Sequence, residues 1–221
     1  HWPTENAAGR AKLFSPINLG SIALQQRTWI PAMVPWRSNE AGEVTQDVID
    51  WYVRFAQGKP GAIVVEATGI RDIPSGPLLR ISDDRYIEGL RSLVDAVREA
   101  SGGQTRLLIQ LIDFLNIRRR PAPEKYFERF LIITPEHRQA LNLDSAAEIE
   151  VRQALASLSN DDLENVLSGR EWDALQFGAR DRVTDMENPL VSDLPQTLPR
   201  LFSTAAMRAK KAGFDGVELH Y

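Results

Sequence analysis

The 221 residues contain no cysteine and only three histidines, His1, His137 and His220. Without thiols these residues can form no disulfide, thiolate zinc site, iron–sulfur ligation or cysteine nucleophile. Three scattered histidines do not make a histidine-rich metal site, so no metal is expected. No apolar run approaches the roughly 18–20 residues of a membrane span. The opening residues, His1-Trp2-Pro3-Thr4-Glu5-Asn6, lack the apolar core of a signal peptide. A cytoplasmic protein with no membrane partner is therefore expected. A basic excess is missing too. The net charge of −4 argues against a general nucleic-acid binder, which needs a basic face. What remains, 43% hydrophobic and 25% charged residues, is enough apolar material for one large soluble domain or two small ones.

Residues 1–12 are polar and read as loose. Leu13 to Thr28 holds two short alternating stretches around Asn18-Leu19-Gly20, the pattern of a hairpin. Trp29 to Val34 reads as a first strand, running into a loop from Pro35 to Glu40. Thr45 is placed to cap a helix whose stripe is Val48, Ile49, Tyr52, Val53, Phe55 and Ala56. Gly61 to Ala67 is apolar enough for a strand buried on both faces. Ser82-Asp83-Asp84 opens a second helix, striped by Ile87, Leu90, Leu93, Val94 and Val97 and stopped at Gly102-Gly103. Arg106 to Leu111 reads as a third strand.

The strand–helix rhythm then lapses over 114–195. Pro135 to Leu143, Ala146 to Leu158 and Asp161 to Ala179 read as polar helices, with Asp161 as a cap. Their apolar residues (Leu141, Leu155, Leu158, Leu163, Leu167, Trp172 and Leu175) look too few for a separate core. The rhythm resumes with a helix from Leu198 to Ala212 and a short buried strand around Val217 and Leu219. The order β-α-β-α-β-(helical insertion)-α-β defines an α/β protein of parallel βα units. Four such units are half of a (β/α)8 TIM barrel, which usually takes about 250 residues. The expectation is one incomplete barrel domain over 1–221, made of the first four βα units, an N-terminal hairpin and a helical insertion over 114–195. A doubly wound open sheet is the competitor. The first strand is not followed by Gly-x-Gly-x-x-Gly, which argues against a dinucleotide-binding unit.

The final stretch, Gly213-Phe214-Asp215-Gly216-Val217-Glu218-Leu219-His220-Tyr221, carries the most chemistry. Glu218 and His220 sit two apart, on one face of the last strand. At the C-terminal end of a barrel strand such residues usually bind or react.

Five stretches, in order, resemble the N-terminal half of the old yellow enzyme family of flavin-dependent ene-reductases. They are Leu13-Phe14-Ser15-Pro16-Ile17 with Leu24 to Thr28, Pro31-Ala32-Met33-Val34, Val65-Glu66-Ala67-Thr68, Ile109-Gln110-Leu111, and Ala209 to His220. The resemblance implies FMN as cofactor, NADH or NADPH as electron donor and a small molecule with an activated C=C bond as substrate; a homo-oligomer is left open. It implies that Ala32, Met33, Val34, Ala67 and Gln110 contact the flavin, with the Gln110 amide at the pyrimidine edge. His220 would be catalytic, holding the substrate carbonyl oxygen. Trp36 and Asp113 would border the substrate, and the flavin phosphate would be held by loops after strands seven and eight.

Departures from the family pattern leave alternatives. Val34 stands where Thr or Cys is usual, Ala32 where the motif has proline, and Asp113 where many members have histidine. Dienoyl-coenzyme A reduction, demethylation and a non-catalytic barrel that has lost its flavin all stay open. Arg118 to Arg120 read as a solvated basic run, the sharper alternative being a phosphate clamp. Glu66 and Glu218 read as structural carboxylates bridging to neighbouring strands or to arginines. Gln110 could be a strand-end cap, and His220 a satisfied core histidine.

Overall fold

The computed structural model describes residues 3–73, 75–115, 120–179 and 181–221. Arg118 and Arg119 lie outside the described residues; Arg120 is exposed. The chain divides into two compact units. One comprises residues 1–114 with 184–221, the other residues 115–183.

The first unit opens with a short helix, α1 (Glu5–Gly9), where the sequence reads as loose; Thr4 caps it by accepting the Ala7 N–H. Strands β1 (Ile17–Leu19) and β2 (Ile22–Leu24) then form an antiparallel hairpin around Gly20. Strands β3 (Trp29–Ile30), β4 (Ala62–Gly69), β5 (Arg106–Ile112) and β6 (Gly216–His220) make one parallel sheet in the order β3-β4-β5-β6. The described residues form this partial sheet and no closed barrel. Strand β3 is shorter than the six residues read from sequence. It lies at a sheet edge and Pro31, which has no N–H to donate, follows it directly.

Helices α2 (Gln46–Ala56) and α3 (Ile87–Ser101) connect these strands as right-sized crossovers. Thr45 caps α2 as expected, accepting the Val48 N–H at 3.3 Å. Gly102, in the left-handed region, ends α3. Helices α2 and α3 cover one face of the sheet, burying Tyr52, Leu90, Leu93, Val94 and Val97 against Ile63, Val65, Leu107 and Ile109. The other face is apolar at its N-terminal end. There Ala62, Val64 and Leu108 meet Leu24, Ile17 and Ile22 of the hairpin, and Ala32. Just past the hairpin, the chain around Gln26 approaches Gly61 closely. A Cβ there would fall 2.0 Å from the Gln26 carbonyl oxygen, a backbone atom with nowhere to go.

The second unit begins with a single turn, α4 (Pro123–Lys125), that runs into a π-helical turn over Tyr126–Phe130. Four helices follow: α5 (Pro135–Ala140), α6 (Glu148–Ser157), α7 (Asn160–Val166) and α8 (Gly169–Phe177). Ser159, not Asp161, caps α7, accepting the Asp162 N–H at 3.2 Å; Asp161 sits in the first turn, where its charge favours the helix dipole. Contrary to the sequence reading, this unit has a core of its own, formed by Tyr126, Phe127, Leu131, Val151, Leu155, Leu163, Leu167, Ala174 and Leu175. His137 is buried beside it. Its Nδ1 accepts the Thr134 N–H at 3.1 Å, and its Nε2 lies 3.2 Å from Glu171 Oε2.

The chain returns to the first unit through α9 (Pro189–Ser192) and α10 (Leu194–Ala212). Helix α10 starts four residues earlier than the sequence suggests, with Pro195 in the first turn, where its missing N–H costs nothing. Gly213 terminates it at φ 101°, a left-handed conformation suited to glycine. Asp215 then fastens the turn into β6. Its Oδ2 accepts the Leu107 N–H at 2.9 Å, and its own N–H donates to the Leu107 carbonyl at 2.8 Å. Val217 and Leu219, expected to be buried, are 37% and 52% exposed because β6 is the other edge of the sheet.

Candidate active site

Along β5 and β6, Leu108 and Gly216, Gln110 and Glu218, and Ile112 and His220 are register partners. Alternation puts Gln110, Glu218 and His220 on the face opposite α2 and α3, towards the C-terminal ends of the strands. There they form a connected chain. The Gln110 amide nitrogen donates to Glu218 Oε1 at 2.5 Å, and Gln110 Oε1 lies 3.3 Å from His220 Nδ1. Gln110 and Glu218 are half-buried, and the His220 ring is exposed. Among the described residues no group of three or more His, Cys, Asp or Glu could hold a metal ion.

The other residues singled out from the sequence lie on neighbouring segments. Ala67, on β4, is buried and 6% exposed. The strand is irregular here, its register against β5 slipping between Val65 and Thr68. Ala32 and Val34 are half-buried and Met33 is exposed, on the segment leaving β3. Trp36 lies further along at φ 58°, an unusual conformation for a bulky residue, with its ring beside Gly76. Strand β4, which carries Ala67, lies between the segment of Ala32 to Trp36 and the Gln110 chain on β5 and β6.

Asp113, just past β5, is committed to an ion pair. Arg71 donates through Nε to Oδ1 at 2.5 Å and through Nη2 to Oδ2 at 2.8 Å, while Nη1 reaches the Leu190 carbonyl at 2.8 Å. The sequence reading missed Arg71. Forty-two residues separate it from Asp113, and only the parallel pairing of β4 and β5 brings the two together.

Glu66 differs most from its expected role. It is completely buried, and neither carboxyl oxygen has a hydrogen-bond partner among the described residues, so no arginine bridges it. Its backbone N–H donates to the Tyr52 hydroxyl at 2.7 Å. Burial pushes its carboxyl up to about 8, offset in part by the Tyr52 hydroxyl. The Tyr52 phenol is pushed up as well, chiefly by burial and then by the Glu66 charge. Glu218, in contrast, does bridge to a neighbouring strand, as anticipated.

The sequence model of the NADH:flavin oxidoreductase / NADH oxidase family matches residues 12–114. That stretch takes in the hairpin, β3, β4 and β5. Individual relatives agree with this class. The chain is 37% identical to an NADH oxidase of Thermoanaerobacter brockii over 89 residues, 38% of this chain and 14% of that one. It is 33% identical to an NADPH dehydrogenase of Bacillus subtilis (strain 168) over 93 residues, 40% of this chain and 27% of that one. Among solved structures, the old yellow enzyme homologue from Zymomonas mobilis superposes with a TM-score of 0.54 at 23% identity, covering 95% of this chain and 48% of that one. The chain thus spans about half of that structure and a smaller share of the two sequence relatives. The likeness in sequence is to the NADH:flavin oxidoreductase / NADH oxidase family, and the likeness to the old yellow enzyme homologue is one of fold.

Proposed function

We propose that residues 1–221 form the first half of a flavin-binding (β/α)8 barrel, one domain with a helical insertion over 114–195. The protein would reduce the activated C=C bond of a small enone or enoate with electrons from NADH or NADPH. The observation that carries this reading is the Glu218–Gln110–His220 chain at the C-terminal ends of adjacent parallel strands, the end at which such barrels keep their chemistry.

The residues present suit FMN. Gln110 uses one amide hydrogen and one carbonyl lone pair within the chain, which leaves one of each for the pyrimidine edge of a flavin. Ala32, Met33 and Ala67 would offer backbone to the ring. Val34 would meet the ring without the side-chain hydrogen bond that Thr or Cys could make. Bound FMN would supply hydride from its reduced ring. His220 would hydrogen-bond the substrate carbonyl oxygen and so draw electron density from the double bond. Trp36 would overhang the substrate. Asp113, with both oxygens held, would act by fixing Arg71.

The test is a pair of anaerobic half-reactions in a polypeptide that completes the barrel. NADH or NADPH should bleach a bound flavin, and an enone should restore its colour. A flavin that bleaches but recovers only with oxygen would remove the alkene-reductase reading.

A further inference from the structure

Hydrogen-bond logic along the Gln110 chain fixes a property of His220 beyond its proposed contact with substrate. A carboxylate can only accept, so the Gln110 amide atom 2.5 Å from Glu218 Oε1 must be the nitrogen. The reversed amide would press oxygen against oxygen. With the nitrogen committed to Glu218, the amide oxygen faces His220 Nδ1 at 3.3 Å. An amide oxygen also only accepts, so Nδ1 must carry a hydrogen for this contact to bind. We propose that Glu218 is a positioning residue that acts through Gln110 to hold neutral His220 as its Nδ1–H tautomer, leaving Nε2 as the nitrogen offered to a ligand.

The tautomer follows from the direction of these two hydrogen bonds with Glu218 ionised. Its consequence for substrate rests on the proposed function. With Nδ1–H committed, neutral His220 offers only a lone pair at Nε2, which suits a ligand hydroxyl. A carbonyl oxygen can be met only by the imidazolium, which donates from both nitrogens. The residue that polarises an enone would therefore be the charged form.

His137 provides an internal reference of opposite sense. A backbone N–H always donates, so the Thr134 N–H directed at Nδ1 requires a bare Nδ1 and a hydrogen on Nε2, facing Glu171.

Long-range proton–nitrogen correlation spectra of protein labelled with nitrogen-15 histidine test the proposal. The sequence has three histidines, and a His220→Asn sample assigns the signal. At a pH where the rings are neutral, His220 should show the Nδ1–H pattern and His137 the Nε2–H pattern. Glu218→Gln keeps the shape but lets the neighbouring amide face either way, so His220 should shift towards Nε2–H while His137 stays fixed. An Nε2–H pattern for His220 in the unsubstituted protein overturns the proposal, and that measurement needs no folded variant. An unchanged tautomer in folded Glu218→Gln also overturns it. Neither result depends on flavin, so a colourless protein with an Nδ1–H His220 would sink the proposed function and leave this inference standing.

Discussion

Arg71 holds both carboxylate oxygens of Asp113, at 2.5 and 2.8 Å, and with its remaining nitrogen reaches the backbone of Leu190 at 2.8 Å. One guanidinium thus joins the segments after β4 and β5 to α9. Both side chains are nearly buried, 12% and 11% exposed, so the pair is little screened by water.

Replacing Arg71 with alanine should strand a buried carboxylate. The expected loss is about 3–5 kcal/mol of unfolding free energy, as for other buried pairs broken on one side. Asp113→Ala should cost a similar amount, and the double variant less than the sum of the two. Denaturant unfolding of all four proteins measures the coupling. Additive losses would mean that the two side chains do not interact in solution.

Glu66 should make stability depend on pH. Its native carboxyl, raised to about 8, keeps a proton that an unfolded glutamate near 4.5 has released. Between these values the native state binds more protons, so stability should fall as pH rises and level off above about 8. The slope can reach about 1.4 kcal/mol per pH unit. Glu66→Gln should flatten this part of the profile. A wild-type profile that rises or stays level between pH 5 and 8 would mean that Glu66 is not isolated.

At Gly61, even alanine should be poorly tolerated, because the added carbon would meet the Gln26 carbonyl oxygen at 2.0 Å. Overpacking of this kind costs about 1–3 kcal/mol or more. The loss should appear as a lower thermal midpoint with faster amide exchange in the hairpin. A variant as stable as wild type would show that the segment around Gln26, just after the hairpin, does not lie against Gly61.

In the second unit, Leu155→Ala should cost about 2–5 kcal/mol, since the side chain is fully buried in that unit's own core. Hydrogen exchange should quicken across α5 to α8 and leave β4 and β5 protected. Uniform acceleration through the sheet would mean that the two units unfold as one.

The central strands were the most legible part of the sequence. Ile63, Val65, Leu107 and Ile109 are buried under helices, and their apolar runs announce this directly. The helix stripes were equally readable, because α2 and α3 each present one apolar side. Edges were less so. Val217 and Leu219 look like core residues, and only the strand order shows them exposed. The second unit's core was missed because Tyr126, Phe127, Leu131 and Val151, from different segments, complete it. At the site, Glu218 and His220 could be placed on one face from their spacing alone. Their link through Gln110 crosses 108 residues and needed the β5–β6 register. Nothing in the local sequence of Glu66 says that its carboxyl oxygens find no hydrogen-bond partner among the described residues.

The most direct test of the account is a flavin titration of the barrel-completing polypeptide and its Gln110→Leu variant, followed by flavin fluorescence. The unsubstituted protein should take up FMN stoichiometrically. The variant should bind about 10- to 100-fold more weakly, because a polar flavin edge would be left without its partner at about 1–3 kcal/mol. A protein that takes up no flavin, or a variant that binds it as tightly as the parent, would contradict the claim that these strand ends form a flavin site.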